Sequence, residues 1–367
     1  MRIFHITPER FDELSDLPDA LPPTGFLWVG SGRREFEVQR DLLQSRLQRW
    51  AGAGVVDLHV SDLLNNQLPS HFEDTSWYDM LVFRRLAATP QGKGLFLDEE
   101  HGTLASAKQA MAAIDTSPVG FVVFDRVLLT VHPTDCAVRE HFAHRLAQHS
   151  QESDLRGTGR LPASPADLML RMLNHMVDSY LELRRLLTRQ LATLQSELLN
   201  PKSHFQDWQV LLASRNALHL LEDTCEDQRS AVQEWIDALD EWPPEADERA
   251  KRERELLRVR SRDVLEHIER VLAHVRRLES SAEAAVQMHF SALGHRTNDI
   301  MRTLTVLTAI FLPLNLITGI FGMNFEVIPL THAVTGFWVA IGIMLAVAIG
   351  LGGFFWRKRY LGTHVRP

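Results

Sequence analysis

Seven positions near the C-terminal end carry residue types suited to handling an ion. Asn298, Met301, Thr305, Thr308, Leu312, Asn315 and Gly319 recur at steps of 3, 4, 3, 4, 3 and 4. On a helix, that spacing places them on one stripe, and Gly322 continues it. Gly322-Met323-Asn324 follows directly. Gathered about an axis, such stripes would offer carboxamides and hydroxyls, alternating with apolar constrictions at Met301 and Leu312. Between Leu304 and Asn324 there is no Asp, Glu, His or Cys. A site that strips a divalent cation and binds it directly needs charged or soft ligands. Neutral oxygens suit an ion that keeps its water, and Mg2+ is the common cation that dehydrates most reluctantly. The chemistry expected here is hydrogen bonding to a hydrated cation, with Asn324 and nearby carbonyls as an outer ring and Asn315 as a second.

Histidine supplies the other candidate ligands, and the chain has 17. His141 and His144, three apart, would be neighbours on one helix face. They could begin a transition-metal site. The alternative is a solvated helix face, which His149 favours, being turned well away from His144. His332 could catch or sense metal from its loop.

The elements that must position these residues are clear in outline. Leu304 to Phe321 is eighteen residues without a charge, and Gly336 to Trp356 is twenty-one more. Each is long enough to cross a hydrocarbon core as a helix. Arg296 and Arg302 precede the first span, and Arg357, Lys358 and Arg359 follow the second. The positive-inside rule puts both termini in the cytoplasm and the 322–335 link outside. Trp338, Trp356 and Tyr360 fall near the expected water interfaces. The second span carries almost no polar side chain and reads as lipid-facing. Within membrane helices, Thr and Asn also serve simply to bond backbone or neighbouring helices, so the stripe has that second reading.

The rest of the 367-residue chain has the composition of an ordinary globular protein, 45% hydrophobic and 23% charged, with net charge −8. That acidity argues against a nucleic-acid partner. Two distant cysteines, Cys136 and Cys225, make neither a disulfide framework nor a Cys-x-x-Cys metal site. The N-terminus lacks the apolar core of a signal peptide. A cytoplasmic α/β domain is therefore expected over 1–150. Its strand candidates are Gly25–Val29, Tyr78–Leu86 and a hairpin within Phe121–Val131 turning at Asp125-Arg126. Phe36–Gly52 has helical spacing. Gly30-Ser31-Gly32 lacks the spacing and lysine of a nucleotide loop, so ATP is not expected to drive anything.

Residues 151–161 read as a linker, the opening of a helical hairpin region over 151–244. Ser164-Pro165-Ala166-Asp167 starts a helix that is expected to run to Asn200. Ser203 with Gln206 reads as a capping box for the next helix, ending before Pro243-Pro244. From Glu245 a seam of Leu257, Val264, Ile268, Val271, Val275, Leu278, Ala282 and Ala285 recurs at threes and fours, with Ser261 filling one gap. A stalk over 245–303 would continue into the first span at 304–321 as one helix of roughly 115 Å. Such a helix needs partners along its length, either other chains or the helices at 164–242. The link (322–335), the second span (336–356) and a cytoplasmic tail (357–367) complete the division.

Phe311 to Phe325, FLPLNLITGIFGMNF, closely resembles the end of the first transmembrane helix of CorA-type divalent-cation (magnesium/cobalt) channels. Their signature is a Gly-Met-Asn triplet at the outer mouth, and here it ends the first of two C-terminal spans after a long charged helix. The resemblance implies an α/β cytoplasmic domain, a long stalk helix and two transmembrane helices, assembled as a funnel-shaped homopentamer in an inner membrane. It implies inward, potential-driven movement of Mg2+, with Co2+ or Ni2+ as further cargo. It also implies a gate in which carboxylates at seams between chains bind intracellular Mg2+. Asp263 in SRDVLEH and Asp62 in VSDLLN match the family's positions, although Ser61 replaces a neighbouring acid. The link departs as well: Pro329 is followed by Leu330-Thr331, leaving Glu326 as its one acid. Two alternatives stand. One is a Zn2+ transporter of the same architecture, which can be proton-coupled. The other is a membrane-anchored sensor without transport. No catalytic site is expected.

Overall fold

The computed structural model describes residues 1–88, 114–134, 137–151, 161–200, 208–242, 247–323 and 335–358. It forms two compact units, Met1–Ala284 and Ala285–Pro367. The first is built on a seven-stranded sheet. Its strands are β1 (Arg2–Ile6), β2 (Phe11–Leu14), β3 (Phe26–Gly32), β4 (His71–Asp74), β5 (Asp79–Arg84), β8 (Pro118–Val123) and β9 (Val127–His132), in the order β2-β1-β3-β9-β8-β5-β4. Only the β3–β9 pair is parallel; the other neighbours are antiparallel. β6 (Ala87–Ala88) and β7 (Ile114–Asp115) make a separate small ladder.

The sheet is covered on both faces, which explains its apolar strands. On one face lie α1 (Arg33–Val38), α2 (Arg40–Ala51) and α3 (Asp57–Leu64). Leu27, Val29, Val122 and Leu129 pack there with Phe36, Leu43, Leu47 and Val60. α4 (Val138–Gln151) runs beside β2. On the other face α5 (Pro165–Asp178) meets β3, β8 and β9, while α7 (Trp208–Glu241) meets β4 and β5. With no wet side, strands lose polar alternation and become continuous apolar runs; β8 and β9 are buried at every position. Trp28, fully buried, donates its indole N–H to Thr130 at 2.9 Å.

Several expectations hold and others need correction. The hairpin turning at Asp125-Arg126 is present as β8 and β9. Gly25 precedes β3 at φ 75°, and a Cβ there would stand 2.2 Å from the Ile6 carbonyl oxygen. Gly30-Ser31-Gly32 is the end of β3 rather than a loop. The helix expected over Phe36–Gly52 is two, broken where Gln39 leaves helical geometry at φ −100°, ψ 13°. The helix expected over 164–200 is also two. Ser164 caps as expected, its oxygen accepting from the Asp167 N–H. The break comes at Ser179, which keeps helical dihedrals (φ −59°, ψ −21°) and its N–H bond to the His175 carbonyl at 3.1 Å, while its hydroxyl reaches the carbonyls of Met176 and Leu86. α6 (Tyr180–Leu199) then continues. The Ser203–Gln206 box lies outside the described residues.

One helix, α8 (Glu248–Phe321), contains both the stalk and the first apolar segment. Its seam is real: Leu257, Ser261, Val264, Ile268, Val271 and Val275 are buried. Within the first unit the partners include α6 and α7. Trp235 donates to Ser261 at 2.9 Å, Gln195 to Ser281 at 2.9 Å, and Arg276 to Glu222 at 2.7 Å. Ser261 thus fills its gap in the seam as an acceptor for a buried indole. The second unit contains residues 285–321 of α8 and α9 (Gly336–Arg357).

Asp79 gives a pH prediction. It stands opposite Asp74 across the β4–β5 pair, and burial, with Asp74 and Asp125 nearby, pushes its carboxyl up to about 7. An acid raised in the folded state holds its proton longer there than in the unfolded chain. Its ionisation therefore costs stability progressively as pH rises from the ordinary carboxylate range to about 7. Asp79→Asn should stabilise the protein above pH 7, by about 4 kcal/mol at most. Its advantage should shrink toward pH 4, as followed by unfolding midpoints in circular dichroism. An advantage independent of pH would mean that charge is not the cause.

Candidate functional site

The first apolar segment ends at Gly322, whose N–H bonds the Thr318 carbonyl at 2.9 Å. Met323 is the last described residue there; Asn324 and His332 lie outside the described residues. Asn298, Met301, Thr305, Thr308, Leu312, Asn315 and Gly319 are all exposed in the single chain. The covered side of the same helix is formed by Val306, Ala309, Ile310, Pro313, Leu314 and Ile317. At 100° per residue the two sets lie roughly 150° apart. The amide-bearing face thus lies within the side of the helix left uncovered, together with the exposed Leu304, Leu307 and Phe311.

The hydroxyls on this face are oriented by their own helix. Thr305 Oγ1 donates to the Met301 carbonyl at 2.7 Å, and Thr308 Oγ1 to the Leu304 carbonyl at 2.9 Å. With the proton committed, each hydroxyl turns lone pairs outward. Such oxygens accept hydrogen bonds, and water coordinated to a cation donates them strongly. Pro313 interrupts the helical ladder on the opposite side, because it has no N–H for the Ala309 carbonyl; long helices bend at such points. α9 is apolar up to its last residue, Arg357, with Trp338 and Trp356 exposed near its two ends. Both helices are long and apolar enough to span a bilayer.

In the first unit, the two matched carboxylates have separate surroundings. Asp263 projects from α8, half-exposed, beside His267 one turn on, with Nε2 to Oδ1 at 3.7 Å. The other ring nitrogen, Nδ1, is 3.4 Å from Asp178 at the end of α5. An imidazole therefore stands between two carboxylates on different helices. No local pattern points to Asp178, since only the fold brings the end of α5 against the stalk. His267 was detectable four residues after Asp263, although only the fold turns it toward a second acid. Asp62, on α3, lies with His71 and Glu73 of β4. One ligand atom from each falls within 4.8 Å of the others.

His141 and His144 lie on α4 and both are exposed, in keeping with a solvated helix face. His141 stacks on His175 of α5, with ring centroids 4.1 Å apart and planes 7° apart. Burial lowers His175 to about 4 and lowers His141 below its usual value. The two rings pack face to face between α4 and α5. His149 bonds the Arg145 carbonyl at 2.6 Å. Near them a cavity of about 290 Å³ is lined by Arg145, Arg171, His175, Asp178 and Arg260. Arg171 and Arg260 both reach Asp167, which neutralises part of that positive charge.

Fold and site define a membrane protein with a large α/β unit, a long helix and two C-terminal spanning helices. Residues 100–359 match the family described as CorA-like Mg2+ transporter protein, and the chain belongs to that family. Members of this family are ion transporters, not enzymes. The chain is 31% identical over 100 residues to the cobalt/magnesium transport protein CorA of Thermotoga maritima, covering 27% of this chain and 28% of that one. It is 32% identical over 101 residues to the magnesium transport protein CorA of Haemophilus influenzae, covering 28% and 32%. These alignments span about a third or less of either relative's length. The fold is similar to the complete structure of the CorA magnesium transporter from Methanocaldococcus jannaschii, with TM-score 0.68, 17% identity and 97% of each chain covered.

Proposed function

We propose that several copies of this chain, five by resemblance to the family, gather their first spans around a common axis and conduct hydrated Mg2+ inward across a cytoplasmic membrane. The observation that carries this reading is the uncharged amide and hydroxyl face of α8, on the side away from that helix's covered residues. A bundle of identical chains buries such a face against an aqueous axis instead of lipid. Asn324, Asn315, Thr308 and Thr305 then hold the ion's water by hydrogen bonds. Met301 and Leu312 form constrictions that close by dewetting. Gly319 and Gly322 keep the path free of side chains. The membrane potential drives a doubly charged ion with about 4.6 kcal/mol per 100 mV, so no ATP is required. Both termini lie in the cytoplasm in this arrangement.

The gate in this reading is a divalent cation bridging Asp263 of one chain to Asp62 of a second copy. Paired carboxylates repel one another, and an ion between them holds the seam closed; its loss frees the helices to tilt. Flux of Mg2+ against Zn2+ into proteoliposomes tests the cargo. Faster Zn2+ uptake would favour the zinc-transporting alternative, to which the His–carboxylate groupings around Asp62 and Asp263 are suited, while no uptake of either would leave a membrane-anchored sensor. Co2+ and Ni2+ belong in the same series. Hexaamminecobalt, which has the size and outer hydrogen-bond donors of hydrated Mg2+ but does not release its ligands, should block Mg2+ uptake competitively. Failure to block would remove the argument for passage with water in place.

A further inference from the structure

We infer that Asp62, His71 and Glu73 form a transition-metal site within a single chain, one that takes Co2+, Zn2+ or Ni2+ in preference to Mg2+. β4 is the edge strand of the sheet. His71 and Glu73 are two apart on it and project to the same face, while Phe72 between them turns to the other and meets Trp235 edge-on at 5.8 Å. α3 lies over the first face so closely that a Cβ on Gly120 would come 2.3 Å from Leu63. Asp62, the residue before Leu63, is thereby set beside the two β4 side chains. The three ligand atoms lie within 4.8 Å of one another, and all three residues are half-buried. Tetrahedral coordination requires separations of about 3.4 Å, which small side-chain rotations supply.

The surrounding hydrogen bonds prepare these groups for a metal. His71 Nδ1 faces the Pro69 carbonyl at 3.1 Å, and a carbonyl only accepts. The proton therefore sits on Nδ1, and Nε2 keeps the lone pair that a metal uses. Glu73 is held by the buried His59, whose Nε2 is 2.6 Å from its carboxylate. The other nitrogen of His59 meets the Tyr78 hydroxyl at 2.7 Å, and that hydroxyl also accepts the Val56 N–H at 3.0 Å. The relay from backbone through tyrosine and histidine to carboxylate fixes Glu73 by one oxygen and leaves the other available. Outer partners of this kind orient ligands in metal sites. Two carboxylates balance a divalent charge, and the imidazole selects for transition metals over Mg2+, which prefers oxygen. The grouping of His219, Glu222 and Glu279 differs, because Arg276 already occupies Glu222. The site uses Asp62, which the proposed gate also uses, but it needs no second copy and no flux.

The test uses the full-length chain in detergent, stripped with chelator and titrated with Co2+ alone. Equilibrium dialysis counts bound ions, and visible absorption reports imidazole ligation. His71→Ala should lose one Co2+ per chain, that ion binding more than about 100-fold more weakly. Glu73→Gln should do the same, and Mg2+ binding should not change in His71→Ala. His71→Gln, which can keep the bond to Pro69 but supplies no imidazole, decides the matter if His71→Ala fails to fold by circular dichroism. An unchanged Co2+ count in these variants would overturn the site. So would loss of that ion in Asp263→Ala but not in His71→Gln, which would assign it to the stalk. Mg2+ uptake is measured separately, so failure of this site and failure of the transport reading are distinguishable.

Discussion

Asn324→Ala is expected to abolish Mg2+ uptake by proteoliposomes while leaving the assembly intact. The span contains no formal charge from Leu304 to Asn324, so an arriving ion is held at the mouth by hydrogen bonds alone. In a ring of five copies, losing about 1 kcal/mol per amide weakens the grip on a hydrated ion by about 5 kcal/mol, more than three orders of magnitude. The change multiplies because symmetry repeats it. Alanine also leaves a small apolar rim, which favours dewetting where water must pass. Size-exclusion elution in detergent should match wild type, since one link residue contributes little to the helix contacts. Undiminished flux with normal assembly would show that the outer ring is not where the ion is selected.

Asp263→Ala should make the channel leak when internal Mg2+ is high. Asp263 is half-exposed on a charged helix, with His267 and Asp178 beside it, and it has room to take an ion without being dug out of a core. A hydrogen bond to a charged group contributes about 1.5–3 kcal/mol, and the loss of a carboxylate that holds a hydrated cation is expected to be of that size. The internal Mg2+ concentration that halves flux should therefore rise by about tenfold to a hundredfold. Uptake at low internal Mg2+ should be unchanged, since the path itself is untouched. Equal inhibition of mutant and wild type across the same concentrations would take Asp263 out of the gate. Asp178 and His267 would share its effect if the ion sits among the three.

The two predictions draw on different parts of the chain for a reason. The proposed conducting face belongs to one continuous helix, and helical periodicity alone puts its residues in line. The proposed gate draws on groups from separate elements. Asp178 closes α5 and Asp263 belongs to α8, and no spacing rule connects positions so far apart.

From the sequence by itself came the two spans, the stripe from Asn298 to Gly319, the stalk seam and the β8–β9 hairpin. Each is a local pattern: hydrophobic length, a period of 3.6, or an apolar run broken by a polar turn. The tertiary structure alone decided what the seam packs against, where helices break, and which ligands become neighbours. Where α5 ends, Ser179 meets the Leu86 carbonyl, a partner 93 residues away in sequence that only the fold brings near. His141 stacks on His175, a neighbour that only the packing of α4 against α5 supplies. Asp62 acquired His71 and Glu73 only once α3 had settled on the face of an edge strand. Local periodicity is written in consecutive residues, whereas long-range neighbours depend on how the whole sheet buries its two faces.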